Sequence, residues 1–323
     1  MAHRSDNSSR LSELRMKHGR PPASPSEPKA DKPETLREAQ PRFRGLESGH
    51  RACQGCGEAM AARLVMESAG PDVMVANATG CLEVFTTPWP QSAWRVPWIH
   101  SLFENSAAVA SGMEAAMKAK GKNTKVLSFG GDGGTYDIGF QALSGMLERH
   151  HNVLYVTYDN EAYMNTGVQR SSSTPYGTRT TTTPGSGWKK SRKKNIMEIM
   201  AAHRIPYAAS ASIAFPDDMM RKFTKAKHLK GGTRFLHVFA TCPTGWGIPS
   251  EMSIKIARMA VQCNIFPLYE VENGLKYDLN YQGDRRVHDY LKMQGRFRHL
   301  SEKDIQDIQT MVDEDWALLM QKM

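Results

Sequence analysis

The stretch "KVLSFGGDGGTYDIGFQALSGMLER", residues 125–149, decides how this chain folds. An apolar strand-like run, 125–129, meets four glycines set around Asp132, and an amphipathic helical pattern follows. A strand that feeds a helix through a glycine turn is the first half of a βαβ unit, and "NVLYVTYDN", 152–160, returns as the next strand. The alternation extends both ways. Upstream lie "GEAMAARLVMESAG" (helix, closed by Gly70), "DVMVAN" (strand) and "NSAAVASGMEAAMKAKG" (helix, closed by Gly121). Downstream, "NIMEIMAAH", "PYAASAS", "PDDMMRKFTKAKHL", "RFLHVFAT", "SEMSIKIARMAVQCN" and "PLYEVE" continue the pattern. Strands separated by crossover helices predict a mostly parallel sheet covered on both faces, a three-layer α/β/α fold over 49–275. Residues 1–48 are polar, with six prolines, and read as an extended or disordered N-terminal arm. Residues 276–323 read as a C-terminal extension, polar and irregular to about 300, then a terminal helix opening at Ser301 with Asp304 three residues on.

In a parallel sheet, ligands bind beyond the carboxyl ends of the strands, where residues 130–134 fall. Glycines let a diphosphate approach the backbone, and the following helix start offers free N–H groups. Asp132 would repel phosphate unless a cation lay between them, and Mg²⁺ takes carboxylate, carbonyl and phosphate oxygens. Asn160 follows 28 residues later at the same sheet edge; its amide oxygen and the Ala162 carbonyl complete a hard-oxygen set. Taken alone, such a glycine turn is only a tight connection. The two halves together resemble the thiamine diphosphate (TPP) signature, and neither a dinucleotide G-x-G-x-x-G nor a P-loop is present.

Five cysteines, at 53, 56, 81, 242 and 263, are an odd, scattered set in a chain with no secretory signal, so a disulfide framework is not expected and a cytoplasmic protein is. Cys263 sits in a helical pattern as a core thiol. Cys53, Cys56, Cys81 and Cys242 stand in Gly, Pro or Thr contexts. Four thiolates drawn from distant segments suit either a buried zinc or a [4Fe–4S] cluster. No apolar run reaches the roughly 18 residues of a membrane span. The balance of 42 Lys and Arg against 33 Asp and Glu favours acidic partners, but no nucleic-acid-binding motif occurs.

Several motifs carry a closer likeness: "HRACQGCGE" (50–58), "GCLEVFTTP" (80–88), "WIHSLFENSAAVASG" (98–112), residues 130–149, "YDNEAYMNTGVQRSSSTPYG" (158–177) and "CPTGW" (242–246). In this order they resemble the TPP-binding beta subunit of the 2-oxoacid:ferredoxin oxidoreductases, with the greatest likeness to the pyruvate-oxidising members. The likeness covers roughly 49–275, and the N-terminal arm has no counterpart in it. It implies that Cys53, Cys56, Cys81 and Cys242 ligate a [4Fe–4S] cluster near the cofactor. It implies Mg²⁺ at Asp132, Asn160 (Thr in some relatives) and the Ala162 carbonyl. Gly131, Asp132, Gly133 and Gly134 would cradle the diphosphate together with Asn160, Glu161, Ala162, Tyr163, Met164 and Asn165. Glu58 and Cys81 would touch TPP, and Asn165 would meet the substrate.

The implied activity is oxidative decarboxylation of a 2-oxoacid, pyruvate foremost, with coenzyme A, giving acyl-CoA and CO₂. The glutamate that activates the cofactor would come from a pyrimidine-binding alpha subunit, so this chain alone is expected to be inactive. Gamma and ferredoxin-like delta subunits, and ferredoxin as electron carrier, complete the implied partners. Two alternatives stay open: the same chemistry on phenylglyoxylate, 2-oxoglutarate or a branched-chain 2-oxoacid with NAD as final acceptor, and a zinc-stapled interaction protein. "GWKKSRKKN", 187–195, reads as a solvated basic loop, or else as a docking surface for a subunit, an acidic carrier or a CoA phosphate. Residues 178–187 read as a polar lid, and Trp89, Trp94 and Trp98 as packing within a proline-rich loop.

Overall fold

Strand β4, Val153–Asp159, is buried at all seven positions, the signature of a strand covered on both faces. It is central to an eight-stranded sheet in a computed structural model that describes residues 43–88, 90–183 and 187–323. Most of the N-terminal arm (1–42), Trp89 and residues 184–186 of the expected lid lie outside the described residues.

The remaining strands are β1 (Val73–Ala78), β2 (Trp98–Ser101), β3 (Lys125–Gly131), β5 (Tyr207–Ser212), β6 (Arg234–Phe239), β7 (Leu268–Glu272) and β8 (Lys276–Tyr281). Their order is β2-β1-β3-β4-β6-β5-β7-β8, with the first six parallel and the last two antiparallel. The chain leaves β1 for β2 on one side and crosses to β3 on the other. That reversal opens a crevice at the carboxyl ends of β1 and β3.

Among the described residues, ten helices flank the sheet: α1 (Gly57–Ala69), α2 (Cys81–Thr86), α3 (Ser106–Ala119), α4 (Phe140–Glu148), α5 (Ile196–Ala202), α6 (Pro216–His228), α7 (Pro243–Trp246), α8 (Ser253–Gln262), α9 (Val287–Lys292) and α10 (Glu302–Met320). One face of the sheet packs Val65, Met66, Phe223, Ile256 and Trp246 from α1, α6, α8 and α7. The other packs Ala107, Leu143, Met146, Met197 and Met200 from α3, α4 and α5. The three layers expected from the alternation are present. The α10 N-terminus is a capping box in which Ser301 and Asp304 satisfy each other's backbone N–H.

Three expectations change. The 276–300 segment is not irregular: β8 pairs with β7, and α9 follows. The turn between them is Asn273-Gly274, both left-handed (φ 52° and 68°), the conformation that joins hairpin strands. An edge strand of mixed polarity, KYDLNY, carries little apolar signal, which is why the Asn-Gly pair was its only announcement. The sheet is also not wholly crossover-built, since its β7–β8 edge is a hairpin.

The third change concerns the basic segment 187–195, which is folded inward rather than solvated. Lys189 is buried against the carbonyls of Ser172 and Thr174, and Lys193 pairs with Asp159 at 2.6 Å and Glu161 at 3.0 Å. Arg192 bonds Glu314 and Asp315 of α10. Lys190, exposed over the Trp188 ring, is left for solvent. Trp94 and Trp98 stack at 6.1 Å, and the Trp94 indole N–H donates to Thr86, in keeping with the packing role read for that loop.

At the antiparallel edge, Glu270 is buried and accepts from Tyr207 (2.8 Å), Arg221 (2.7 Å) and Lys225 (2.7 Å). Burial alone would raise its carboxyl, but these partners outweigh it and bring it from the ordinary 4.5 down to about 2. A depressed carboxyl pKa contributes stability that is present above the unfolded value and lost as pH falls through the folded one. Arg221 and Lys225 are partly exposed, which trims the effect by screening. Glu270→Gln is therefore expected to cost about 2 kcal/mol at pH 7. In urea titrations of wild type and variant, the gap should close as pH drops from about 4.5 toward 2.

Candidate active site

Residues following β1, β3 and β4 line one cleft at the sheet's switch point. Thr79, Gly80 and Cys81 come from the end of β1, Gly131, Asp132, Gly133 and Gly134 from β3, and Asn160, Ala162, Tyr163, Met164 and Asn165 from β4. Glu58 of α1 and Tyr158 complete it. Of the cofactor residues read from the sequence, one does not line the cleft: the carboxylate of Glu161 bonds Lys193 and Arg296 instead. A second, larger cavity of about 370 Å³ lies on that other side, between the sheet and α10, and holds none of the glycine turn.

The glycine turn is shaped by contact. The Tyr163 hydroxyl donates to the Gly133 carbonyl at 3.1 Å, and any Cβ at Gly133 would collide with the Tyr163 ring. A Cβ at Gly131 would stand 3.1 Å from the Tyr158 ring, tighter than ordinary contact. The turn runs into a π-helical stretch, Gly134–Ile138, before α4. The 160–169 loop is closed by reciprocal backbone bonds between Tyr163 and Gln169, of 2.9 and 3.1 Å. Asn165 is exposed at the cleft mouth.

Asp132 is buried, and burial followed by the nearby Asp159 charge raises its carboxyl, while a 2.5 Å hydrogen bond from Ser171 offsets part of that. Glu58 is buried too, and burial pushes it up to about 8 against a hydrogen bond donated by Asn160. Its Oε2 has no partner, nor has the Tyr158 hydroxyl, although both belong to cleft-lining residues. Buried polar atoms without partners at the wall of a cleft are what a polar ligand would satisfy. A buried carboxyl beside a phosphate cradle, such as that of Asp132, suits a divalent cation in the same way. The residues present thus fit TPP with Mg²⁺.

Cys56 caps the start of α1, Cys81 opens α2, and Cys242 caps α7. Backbone N–H groups at helix starts favour thiolate charge, and Gly245 donates to Cys242 Sγ at 3.3 Å. The Gly57 N–H bonds the Thr241 carbonyl at 3.0 Å, tying the Cys53/Cys56 turn to the Cys242 loop. Burial raises the Cys81 thiol, and the charges of Glu58, Cys242, Cys56 and Cys53 raise it further. Cys242 is pushed up to about 11 by burial, with Glu58 and Cys53 adding to it. The four thiols therefore share one electrostatic neighbourhood, and Cys263 is buried apart from them at the end of α8. Among the described residues, no group of three or more His, Cys, Asp or Glu converges closely enough to hold a single metal ion.

The buried network behind the cleft escaped the sequence reading. Asp159 accepts from His237 (2.7 Å), Ser173 (2.6 Å) and Tyr136 (3.2 Å) and pairs with Lys193. Burial would raise it, but Lys193 and His237 hold it below the usual carboxylate range. The available signal was the run Asp159-Asn160-Glu161, three polar residues at the end of an apolar strand.

The fold and cleft define a thiamine-diphosphate-binding chain, and residues 78–238 match the family described as thiamine pyrophosphate enzyme, C-terminal TPP binding domain. The chain is 53% identical to pyruvate synthase subunit PorB of Methanocaldococcus jannaschii, over 86% of this chain and 97% of that one. It is 48% identical to ketoisovalerate oxidoreductase subunit VorB of Pyrococcus furiosus, over 84% and 91%. A solved 2-oxoglutarate:ferredoxin oxidoreductase from Magnetococcus marinus shares the fold, with a TM-score of 0.54 and 24% identity over 62% of this chain and 67% of that one. The chain belongs to the family of thiamine diphosphate-binding beta subunits of the 2-oxoacid:ferredoxin oxidoreductases. Such a subunit works within a multi-subunit enzyme. Among the described residues no helix is long and apolar enough to cross a membrane.

Gly133→Ala tests the cradle directly. The added methyl must displace the Tyr163 ring, so TPP affinity in the assembled enzyme should fall at least about tenfold by calorimetric titration, equivalent to about 1.4 kcal/mol.

Proposed function

We propose that this chain is the TPP- and cluster-holding subunit of a pyruvate-oxidising, CoA-acylating enzyme. The observation that carries the reading is the position of Cys81, which lines the cofactor cleft, together with the Gly57–Thr241 bond that ties the Cys53/Cys56 turn to the Cys242 loop. Bound there, TPP supplies the thiazolium carbon through which a 2-oxoacid loses CO₂, and a [4Fe–4S] cluster supplies the neighbouring one-electron acceptor.

The residues divide the work. Gly131, Gly133 and Gly134 admit the diphosphate to the backbone. Asp132, the Asn160 amide oxygen and the Ala162 carbonyl hold Mg²⁺, whose charge would reverse the upward push on Asp132. Glu58, with a pKa about 8, keeps its proton at neutral pH and offers it to the cofactor from a dry wall. Tyr163 and Met164 form the side wall, with Met164 packed on Gly245 beside Cys242. Asn165, at the mouth, meets the substrate. Cys53, Cys56, Cys81 and Cys242 hold the cluster: a cubane gives each thiolate its own iron, so the four need only surround it, whereas zinc requires all at one point.

CoA enters as co-substrate, and alpha, gamma and ferredoxin-like delta subunits with ferredoxin are the proposed partners. Free thiols destined for a cluster suit the reducing cytoplasm. Pyruvate is favoured because relatives named pyruvate synthase reach 53% identity, and the VorB relative at 48% supports ketoisovalerate as the second reading.

Two measurements check this. In the intact, anaerobically purified complex, Cys81→Ala should remove about four irons and four sulfides per copy of this chain; unchanged iron, or stoichiometric zinc in the wild type, would refute the ligand set. In assays with CoA and either ferredoxin or NAD, kcat/KM should be highest for pyruvate with ferredoxin. A higher value for 2-oxoisovalerate, 2-oxoglutarate or phenylglyoxylate would reassign the substrate.

A further inference from the structure

The loop that carries Asn160 and Ala162 is gripped from behind, in part by Lys193 and Arg296, which lie outside every motif that points to the cofactor. Glu161 lies between the two with a φ of 70°, a left-handed backbone in which a non-glycine residue persists only when its surroundings hold it. Its N–H donates to Asp159 Oδ1 at 3.0 Å, and its carbonyl accepts from Thr174 Oγ1 at 2.7 Å. Its carboxylate, 4% exposed, turns away from the cleft. One oxygen accepts from Lys193 Nζ at 3.0 Å and the other from Arg296 Nη2 at 2.6 Å. Arg296 is itself buried and lies flat over the Trp246 ring, 3.8 Å from its centroid. The Trp246 indole N–H donates to the Asn160 carbonyl at 2.8 Å. Side chain and backbone on both sides of the 160–161 peptide are thus fixed by one stacked Arg–Trp pair and one lysine. Asn160 Oδ1 keeps only a long 3.4 Å contact from the Ala162 N–H, which leaves it available in front.

We infer that Glu161 is a positioning residue for the cofactor loop, and that Arg296 and Lys193 are its clamp. The inference rests on reading the cleft as the TPP and Mg²⁺ site. A left-handed residue that relaxes would swing the Asn160 amide and the Ala162 carbonyl, its immediate neighbours, away from a common point. Two cations on one carboxylate, Arg296 buried and Lys193 partly exposed, oppose that relaxation, and when one is removed the other still neutralises the carboxylate. The C-terminal region, read from the sequence as a packing or subunit element, thereby becomes part of the cofactor site. It does so through a residue 135 positions away from Glu161.

The test uses the assembled complex with Glu161→Gln, Glu161→Gly, Arg296→Met and Arg296→Lys. TPP affinity at saturating Mg²⁺ is read by calorimetric titration, KM for the 2-oxoacid at saturating TPP by turnover, and melting temperature on the cofactor-free complex. Glu161→Gln and Arg296→Met should each weaken TPP binding about tenfold (1.4 kcal/mol), with KM within about twofold of wild type and the cofactor-free melting temperature held. Arg296→Lys should recover part of the affinity by restoring the cation. Glu161→Gly, which eases the backbone but deletes the carboxylate, should bind at least as weakly as Glu161→Gln. Unchanged affinity in Glu161→Gln, or wild-type affinity in Glu161→Gly, overturns the clamp. So does a loss of affinity that merely follows a fall in the cofactor-free melting temperature. A wild-type complex that binds no TPP refutes the cleft assignment instead, a result separable from all of these.

Discussion

Four carboxylates, those of Glu58, Asp132, Asp159 and Glu161, are buried at one edge of a single sheet, and the surrounding architecture is organised by the need to neutralise them. An isolated buried carboxylate is expensive, so each must be protonated, paired or bridged. Glu58 keeps its proton. Asp159 takes Lys193, His237, Tyr136 and Ser173; Glu161 takes Lys193 and Arg296. Asp132 has Ser171 and a raised pKa, the least complete solution of the four. This constraint explains why the lysine-rich segment folds inward and why the C-terminal region returns to the sheet.

The parallel sheet and the cleft were legible in the sequence because both are local. Apolar runs of strand length alternate with helix-period stretches, and each cleft-lining segment begins where a strand ends. The basic segment was not legible, since a run of Lys and Arg has the same composition whether its partners are water or buried acids. Those acids lie up to 34 positions before Lys193 or over 120 positions after Arg192, and nothing local announces such pairs. The β8 strand failed for another reason: an edge strand tolerates a half-polar sequence such as KYDLNY, and only its Asn-Gly turn marked it. Glu161 was read into the cofactor loop with no direction for its side chain, and the left-handed φ that goes with its carboxylate facing Lys193 and Arg296 leaves no trace in residue spacing.

The cysteines follow the same rule of convergence at one edge. They come from before α1, after β1 and after β6, yet α1 is anchored to the β6 loop by Gly57 against the Thr241 backbone. A Cβ at Gly57 would stand 2.5 Å from Thr241 N, so only glycine permits the contact. The glycine after the second cysteine of C-x-x-C therefore sets the distance between thiols that are nearly two hundred residues apart in the chain.

The ion pair between Glu161 and Arg296 also orders events during synthesis. A ribosome adding about 5–20 residues per second completes β4 and the glycine turn many seconds before Arg296 exists. Until then Glu161 has lost one of its two cations and Trp246, once made, has no guanidinium stacked on it. The emerging chain can lay down its central strands early, but its cofactor loop reaches its final form only once residue 296 has been made. A chain stopped anywhere before that residue would thus hold a sheet with an unfinished site.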